Sequence, residues 1–334
     1  MENKINYRNS GSLLEIVEKA FNSAHADLTE KGMDNKNAVS TLVSKIDPAM
    51  NGLYAMASDG MFDYLREHMY EAYCHANGED AEFLFHHDTV WGDCFVASRL
   101  LYEITVEATN LHSEYISASI SKKEFLPLQY TFQVMQHLQG RACQIYLEIL
   151  ELVKGGFADG AMARWRSLYE LCCIGQFIID NGEAIAKEYF EQAETDDQRY
   201  RWANSIIDKN NNKVTTFKQI QELCSIEPVW IQEYKLGCFV THASAQGTFK
   251  RLGNFKALNM IPTGRSDYGI DIPAGHSALS LSWISNLLLS IFPNVDSLTH
   301  GNVISKWSNY TERLYYDKKI EVFGEKDELV SNHE

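Results

Sequence analysis

The sequence predicts an all-α protein, a multi-helix bundle, and three observations support this fold class. Apolar side chains recur at helical spacing over long stretches, the first 250 residues contain no strict apolar–polar alternation, and the chain has only 6 prolines. A chain of 334 residues that is 45% hydrophobic and 12% aromatic can bury a large core. The exception to the helical pattern is a loop rich in glycine and proline near 253–275.

Helix boundaries follow from local start and stop signals. Asp47 before Pro48 is typical of a helix start, while Gly155–Gly156 and Asn181–Gly182 are typical of helix ends. The stretch 159–180 is apolar on nearly every side, which predicts a helix in the middle of the bundle. In order along the chain, we expect helices over 13–28, 53–69, 80–121, 127–152, 159–180, 189–207, 277–292 and 297–322, with a further helical stretch opened by Pro228.

These helices group into regions along the chain. We expect an N-terminal helical region over 1–122, a central helical bundle over 127–250, and a loop with the C-terminal helices over 251–323. The polar, acidic stretch 324–334 is expected to be a disordered tail.

Charge and cysteine usage narrow the class of protein. There are 45 acidic and 30 basic side chains, a formal net charge of −15, which argues against broad nucleic-acid binding. Seven cysteines, two of them adjacent, fit a reducing cytoplasm better than a disulfide framework. The N-terminus lacks a signal-peptide pattern, and the most apolar window, 277–292, is too short and serine-rich for a membrane span. We therefore expect a soluble cytoplasmic protein with no membrane partner.

Two helices carry candidate site residues. Arg166 and Glu170 are four residues apart in the most apolar helix, so they share a face and can pair. Tyr234 and His242 lie on one face of a later helix, where Gly237 allows a neighbour to come close. The pair has two interpretations that the residues leave open: a buried ion pair that fixes helix register, or an anion-binding or catalytic arginine held by Glu170.

The same residues resemble a known family. The run 155–161 leads into Arg166-Ser167-Leu168-Tyr169-Glu170, and Tyr234 stands eight residues before His242, which Ala243-Ser244 follows. This pattern resembles a bacterial all-helical family of unknown function, with an R-S-x-x-E helix followed by a Tyr/His helix, over roughly 127–247. The resemblance implies a helical bundle and no assigned activity.

Two weaker patterns are also present. The doublet His87-Asp88 is of the type that helical metal-dependent phosphohydrolases use, and His68 and His75 lie upstream as further histidines. A set of basic residues near the glycine-rich loop is a candidate for steering phosphate or RNA toward Tyr234 and His242, despite the negative net charge: Lys250, Arg251, Lys256 and Arg265.

Three functions follow as expectations. The first is a bacterial regulatory or interaction protein, a homo-oligomer or the binder of a protein partner, in stress response or phage defence. The alternative is a hydrolase of RNA or a nucleotide, in which Arg166 binds phosphate, Glu170 orients it, and His242 and Tyr234 act as acid and base. The lesser alternative is a metal-dependent phosphohydrolase that uses His87 and Asp88. We expect no cofactor and no resident metal.

Overall fold

A computed structural model describes residues 13–195, 200–207, 215–224, 228–242, 244–253 and 263–324. These residues form helices joined by turns and contain no strand, which confirms the predicted all-α multi-helix fold. The chain divides into two compact units, 1–79 and 80–334, which are described separately below. Within the described residues, no helix is long and apolar enough to cross a membrane.

The first unit contains α1 (Leu13–Glu30), α2 (Asn35–Glu67) and the beginning of α3 (Met69–Ser119). Helix α2 begins where the Asp34 side chain accepts a hydrogen bond from the Asn37 backbone N–H at 3.1 Å. The predicted start at Asp47 and Pro48 is therefore wrong, because α2 continues through both residues. A proline removes one backbone hydrogen bond from a helix interior, and a long helix can continue on either side of it.

The second unit contains most of α3 and all the later helices. The helices after α3 are α4 (Lys122–Phe125), α5 (Gln129–Lys154), α6 (Ala158–Asn181), α7 (Glu183–Gln192), α8 (Asn204–Ile207), α9 (Phe217–Leu223), α10 (Pro228–Thr241), α11 (Ala245–Phe249), α12 (Asp271–Leu289) and α13 (Val295–Phe323), with 3-10 turns at Leu126–Leu128 and Arg201–Ala203.

Helix α6 lies in the middle of this unit, as its apolar composition predicts. It packs against α5, α10 and α12, and Trp165 and Tyr169 are fully buried in the core. Helix α12 contacts α5, α6 and α13, and its small serines accept hydrogen bonds from larger neighbours. The Trp165 indole N–H donates to the Ser280 hydroxyl at 3.0 Å. The Gln139 side-chain amide donates to the Ser285 hydroxyl, also at 3.0 Å.

Helix α3 contributes residues 80–119 to the same unit. Trp91 is fully buried, and the hydroxyl groups of Ser98 and Tyr315 lie 3.1 Å apart between α3 and α13. The Trp307 indole N–H donates to the backbone oxygen of Ala97 at 2.9 Å. Residues 80–119 thus belong to the large unit, a grouping that differs from the predicted N-terminal region over 1–122.

Three further expectations differ from the structure at element boundaries. The predicted helix over 189–207 is interrupted, because α7 ends at Gln192 and a turn follows. Helix α12 begins at Asp271 rather than near 277, since Pro273 falls within its first turn, where a proline is tolerated. The glycine- and proline-rich loop, predicted to reach residue 275, therefore ends before Asp271. The middle of that loop, 254–262, and all of the predicted tail after residue 324 lie outside the described residues.

Candidate functional site

Helices α6 and α10 come into contact at Gly237. A Cβ atom added at this glycine would lie 3.4 Å from Arg166 Cβ and 3.6 Å from the backbone oxygen of Met162. The two helices are therefore in close contact at Gly237, although an added methyl group would meet α6 at ordinary van der Waals distance and alanine would also fit.

Glu170 lies at the centre of the contact and is only 6% exposed. Its Oε1 atom is 3.3 Å from Arg166 Nε and accepts a hydrogen bond from the Tyr234 hydroxyl at 2.8 Å. Burial raises the pKa of Tyr234 well above its usual range, and the hydrogen bond to Glu170 raises it further. The phenol therefore keeps its proton and remains a donor to the carboxylate.

His242 follows the last turn of α10 and is exposed. Arg166 donates from Nη1 to His242 Nε2 at 3.5 Å, a long hydrogen bond near the limit for such contacts. The four predicted residues Arg166, Glu170, Tyr234 and His242 therefore come together in a connected polar cluster. Their assignment as catalytic residues stays a prediction.

Aromatic side chains surround the inner end of this cluster. The Tyr234 ring lies 5.2 Å from that of Tyr169 and 5.2 Å from that of Phe217. Gln221 donates a hydrogen bond to the Tyr169 hydroxyl at 2.9 Å, which holds that ring in place. The inner half of the cluster is therefore packed among aromatic rings, while Arg166 and Tyr234 are partly exposed and His242 is exposed. This arrangement can hold an anion at its outer end, beside Arg166 and His242.

The His87-Asp88 doublet does not form the predicted metal pair. The fully buried His87 ring donates from Nε2 to the Val153 backbone oxygen at 2.9 Å, and its Nδ1 is in hydrogen-bond contact with the carboxylate of Asp267. Neither ring nitrogen is left for a metal ion, while Asp88 is exposed. Among the described residues, no group of three or more His, Cys, Asp or Glu side chains is arranged to hold a metal. This geometry does not support the phosphohydrolase interpretation.

The basic residues near the loop do not form one patch. Arg265 binds the Asp80 carboxylate with Nε at 2.8 Å and Nη2 at 2.9 Å, and Nη1 donates to the Gly155 backbone oxygen at 2.9 Å. Arg251 instead lines a cavity of about 390 Å³ beside the first turn of α6. Lys256 lies outside the described residues. Because Arg265 is held by Asp80, it is not available to steer an anion toward His242.

Several of these partners were missed by sequence reasoning. Asp267 lies 180 residues from His87, and Asp80 lies 185 residues from Arg265. Neither acidic residue stands in a recognisable motif, and a contact over such a separation leaves no local pattern in the sequence.

The fold and this cluster define an all-α protein with a polar site between two core helices. Residues 132–225 match a family of unknown function (DUF5677), which agrees with the expected resemblance to a family without assigned activity. The matched span covers less than a third of the chain and includes Arg166 and Glu170, whereas Tyr234 and His242 lie beyond it. Comparison with curated proteins and with solved structures gives no match.

Proposed function

We propose that this protein is a helical interaction protein that binds its partner through residues 56–73, at the end of α2 and the start of α3. The proposal rests on one row of apolar side chains spaced four residues apart. Met61 is 50% exposed, Leu65 38%, Met69 67% and Tyr73 62%. The first two of these residues lie on α2 and the last two on α3. Exposed large apolar side chains at helical spacing are typical of protein-binding surfaces.

Charge complementarity favours one kind of partner, a basic amphipathic helix. The same segment carries exposed acidic side chains at positions 59, 63, 67 and 71. Its one Lys or Arg residue, Arg66, pairs with Asp63 at 3.0 Å. Each acidic residue stands two positions, about 200° around the helix, from an apolar one. A leucine-rich face would therefore cover the apolar row, while the negative field of the acidic residues attracts the lysines of the partner. A second copy of this chain is equally acidic here and would be repelled.

A synthetic leucine/lysine amphipathic peptide tests this proposal by fluorescence anisotropy. We expect the wild-type protein to bind it, and the double variant Leu65→Ser/Met69→Ser to bind at least about 10-fold more weakly because the apolar row is interrupted. The matched control is Tyr310→Ser, at an aromatic residue 53% exposed on α13. Equal loss in the control, no binding by the wild type, or a wild-type dimer that the double variant dissociates would refute the choice of partner.

A hydrolase of RNA or a nucleotide is the second candidate, favoured by the meeting of Arg166 and His242 at the protein surface. It is tested by incubating the protein with labelled RNA and with nucleotides. Arg166→Gln is expected to abolish product formation, whereas Arg164→Gln, on the same helix and paired with Glu148, should retain it. Absence of turnover by the wild type, or equal loss in both variants, counts against this function.

The proposed setting is the cytoplasm of a bacterium, in stress response or phage defence. All seven cysteines are free thiols, and five of them are buried, which suits a reducing compartment. The defence role is tested by phage challenge of a strain that lacks the gene, complemented with the wild type or with Leu65→Ser/Met69→Ser. Equal phage sensitivity with and without the gene contradicts it.

A further inference from the structure

A second cavity lies between α3, the end of α5 and the start of α6, away from the Arg166 cluster. Its volume is about 540 Å³, within the range of small-molecule sites. Its apolar lining consists of Leu84, Phe95, Leu152 and Phe157. Its charged lining consists of Asp88, Glu151, Lys154 and Arg265.

The positive charges of this lining are already matched. Arg265 directs N–H groups at Asp80 and at the Gly155 backbone oxygen, and its guanidinium carbon lies 4.9 Å from the centre of the Phe157 ring. It therefore serves as part of the wall rather than as a donor to a ligand. Lys154 Nζ lies 3.9 Å from the Glu151 carboxylate.

The negative charge of Asp88 is not matched. Within the part of the chain that the structure describes, its carboxylate has no hydrogen-bond or ion-pair partner. His87 turns inward to Asp267, so the neighbouring residue of the predicted doublet does not reach it. An unpaired carboxylate beside an apolar floor attracts a cation and repels an anion.

We propose that this cavity binds a small primary amine with an apolar body. The apolar part packs against Leu84, Phe95 and Leu152, and the ammonium group pairs with Asp88. A neutral molecule of the same shape gains the apolar contacts alone. An anionic molecule of the same shape binds more weakly, because the Asp88 carboxylate repels it. The site is separate from residues 56–73 and does not depend on the proposed function.

The test uses three indole probes that differ in charge: tryptamine, tryptophol and indole-3-acetate. Titration calorimetry of the full chain is expected to show tryptamine binding about 5-fold more tightly than tryptophol, the scale of one partly exposed ion pair, and indole-3-acetate most weakly. Asp88→Asn should remove the preference for tryptamine. Asp93→Asn is the matched control, since Asp93 is an exposed carboxylate on α3 outside the cavity lining.

The apolar floor is tested with Leu84→Ala, which should weaken tryptamine and tryptophol by the same factor. Circular dichroism at the temperature of the titration verifies that each variant is folded. The proposal is overturned if the wild type binds none of the probes, if all three bind alike, or if Asp93→Asn changes the preference as much as Asp88→Asn does.

Discussion

The hydrogen bond between Tyr234 and Glu170 offers a quantitative prediction about the stability of the α6–α10 contact. Tyr234→Phe removes a donor to a buried carboxylate at 2.8 Å, which costs about 1.5 to 3 kcal/mol of unfolding free energy. Glu170→Gln keeps an acceptor for Tyr234 but leaves Arg166, only 20% exposed, without its counter-charge, at a cost of about 3 kcal/mol. Once Glu170 is neutral, the further loss of the tyrosine hydroxyl costs about 1 kcal/mol.

The double variant is therefore expected to be about 0.5 to 2 kcal/mol less destabilised than the sum of the two single variants. Urea unfolding of the four proteins, followed by circular dichroism and tryptophan fluorescence in parallel, measures this coupling energy. Leu236→Ala in combination with Glu170→Gln is the control, because Leu236 packs on the core without bonding to the carboxylate. Additivity within about 0.4 kcal/mol for Tyr234 and Glu170 would refute the proposed role of this hydrogen bond.

Three further predictions concern the second unit. Burial raises the pKa of Asp271 above its ordinary value of 3.8, so the folded chain holds that proton more tightly than the unfolded chain. The unfolding free energy therefore falls as pH rises through the raised pKa of Asp271. Asp271→Asn should flatten the pH profile of urea unfolding over this range. An unchanged slope in the variant contradicts the prediction. Arg265→Gln removes the ion pair with Asp80, so amide exchange in 263–270 should accelerate, with unchanged exchange as the opposing result. Gly269 has φ +78°, and an added Cβ would lie 2.3 Å from the Leu252 backbone oxygen. Gly269→Ala should thus lower the unfolding free energy by about 2 kcal/mol or more, and a smaller loss argues against this turn geometry.

The central helix shows how much of the fold local signals can predict. The predicted span 159–180 and the observed Ala158–Asn181 differ by one residue at each end. Apolar residues on all sides indicate a buried helix, and glycines on both flanks mark its ends, so no tertiary information is needed. The predicted start of the second helix was wrong because local signals there were misleading. Asp47 and Pro48 have the residue types of a helix start, but Asp34 provides the cap.

The sequence identified the residues of the candidate site but not the side chains that surround them. Arg166 and Glu170 are neighbours on one helix, so their pairing follows from spacing alone. The contact of Tyr234 with Glu170 joins residues 64 positions apart. The sequence indicated it only in that each of the two helices carries polar side chains on one face. The inward contact of His87 could not be predicted, because its partner, Asp267, stands 180 residues away. Spacing within a doublet says nothing about which way each side chain faces.

The serines of α12 have a consequence for how this chain is synthesised. The bonds from Gln139 to Ser285 and from Trp165 to Ser280 join residues 146 and 115 positions apart. Until α12 leaves the ribosome, α5 and α6 lack the helix that supplies these serines, and the Trp165 indole N–H lacks its acceptor at Ser280. Formation of the complete core therefore depends on the synthesis of α12. A nascent chain that stalls within the glycine-rich loop would expose the face of α6 that α12 covers and depend on chaperones to remain unaggregated.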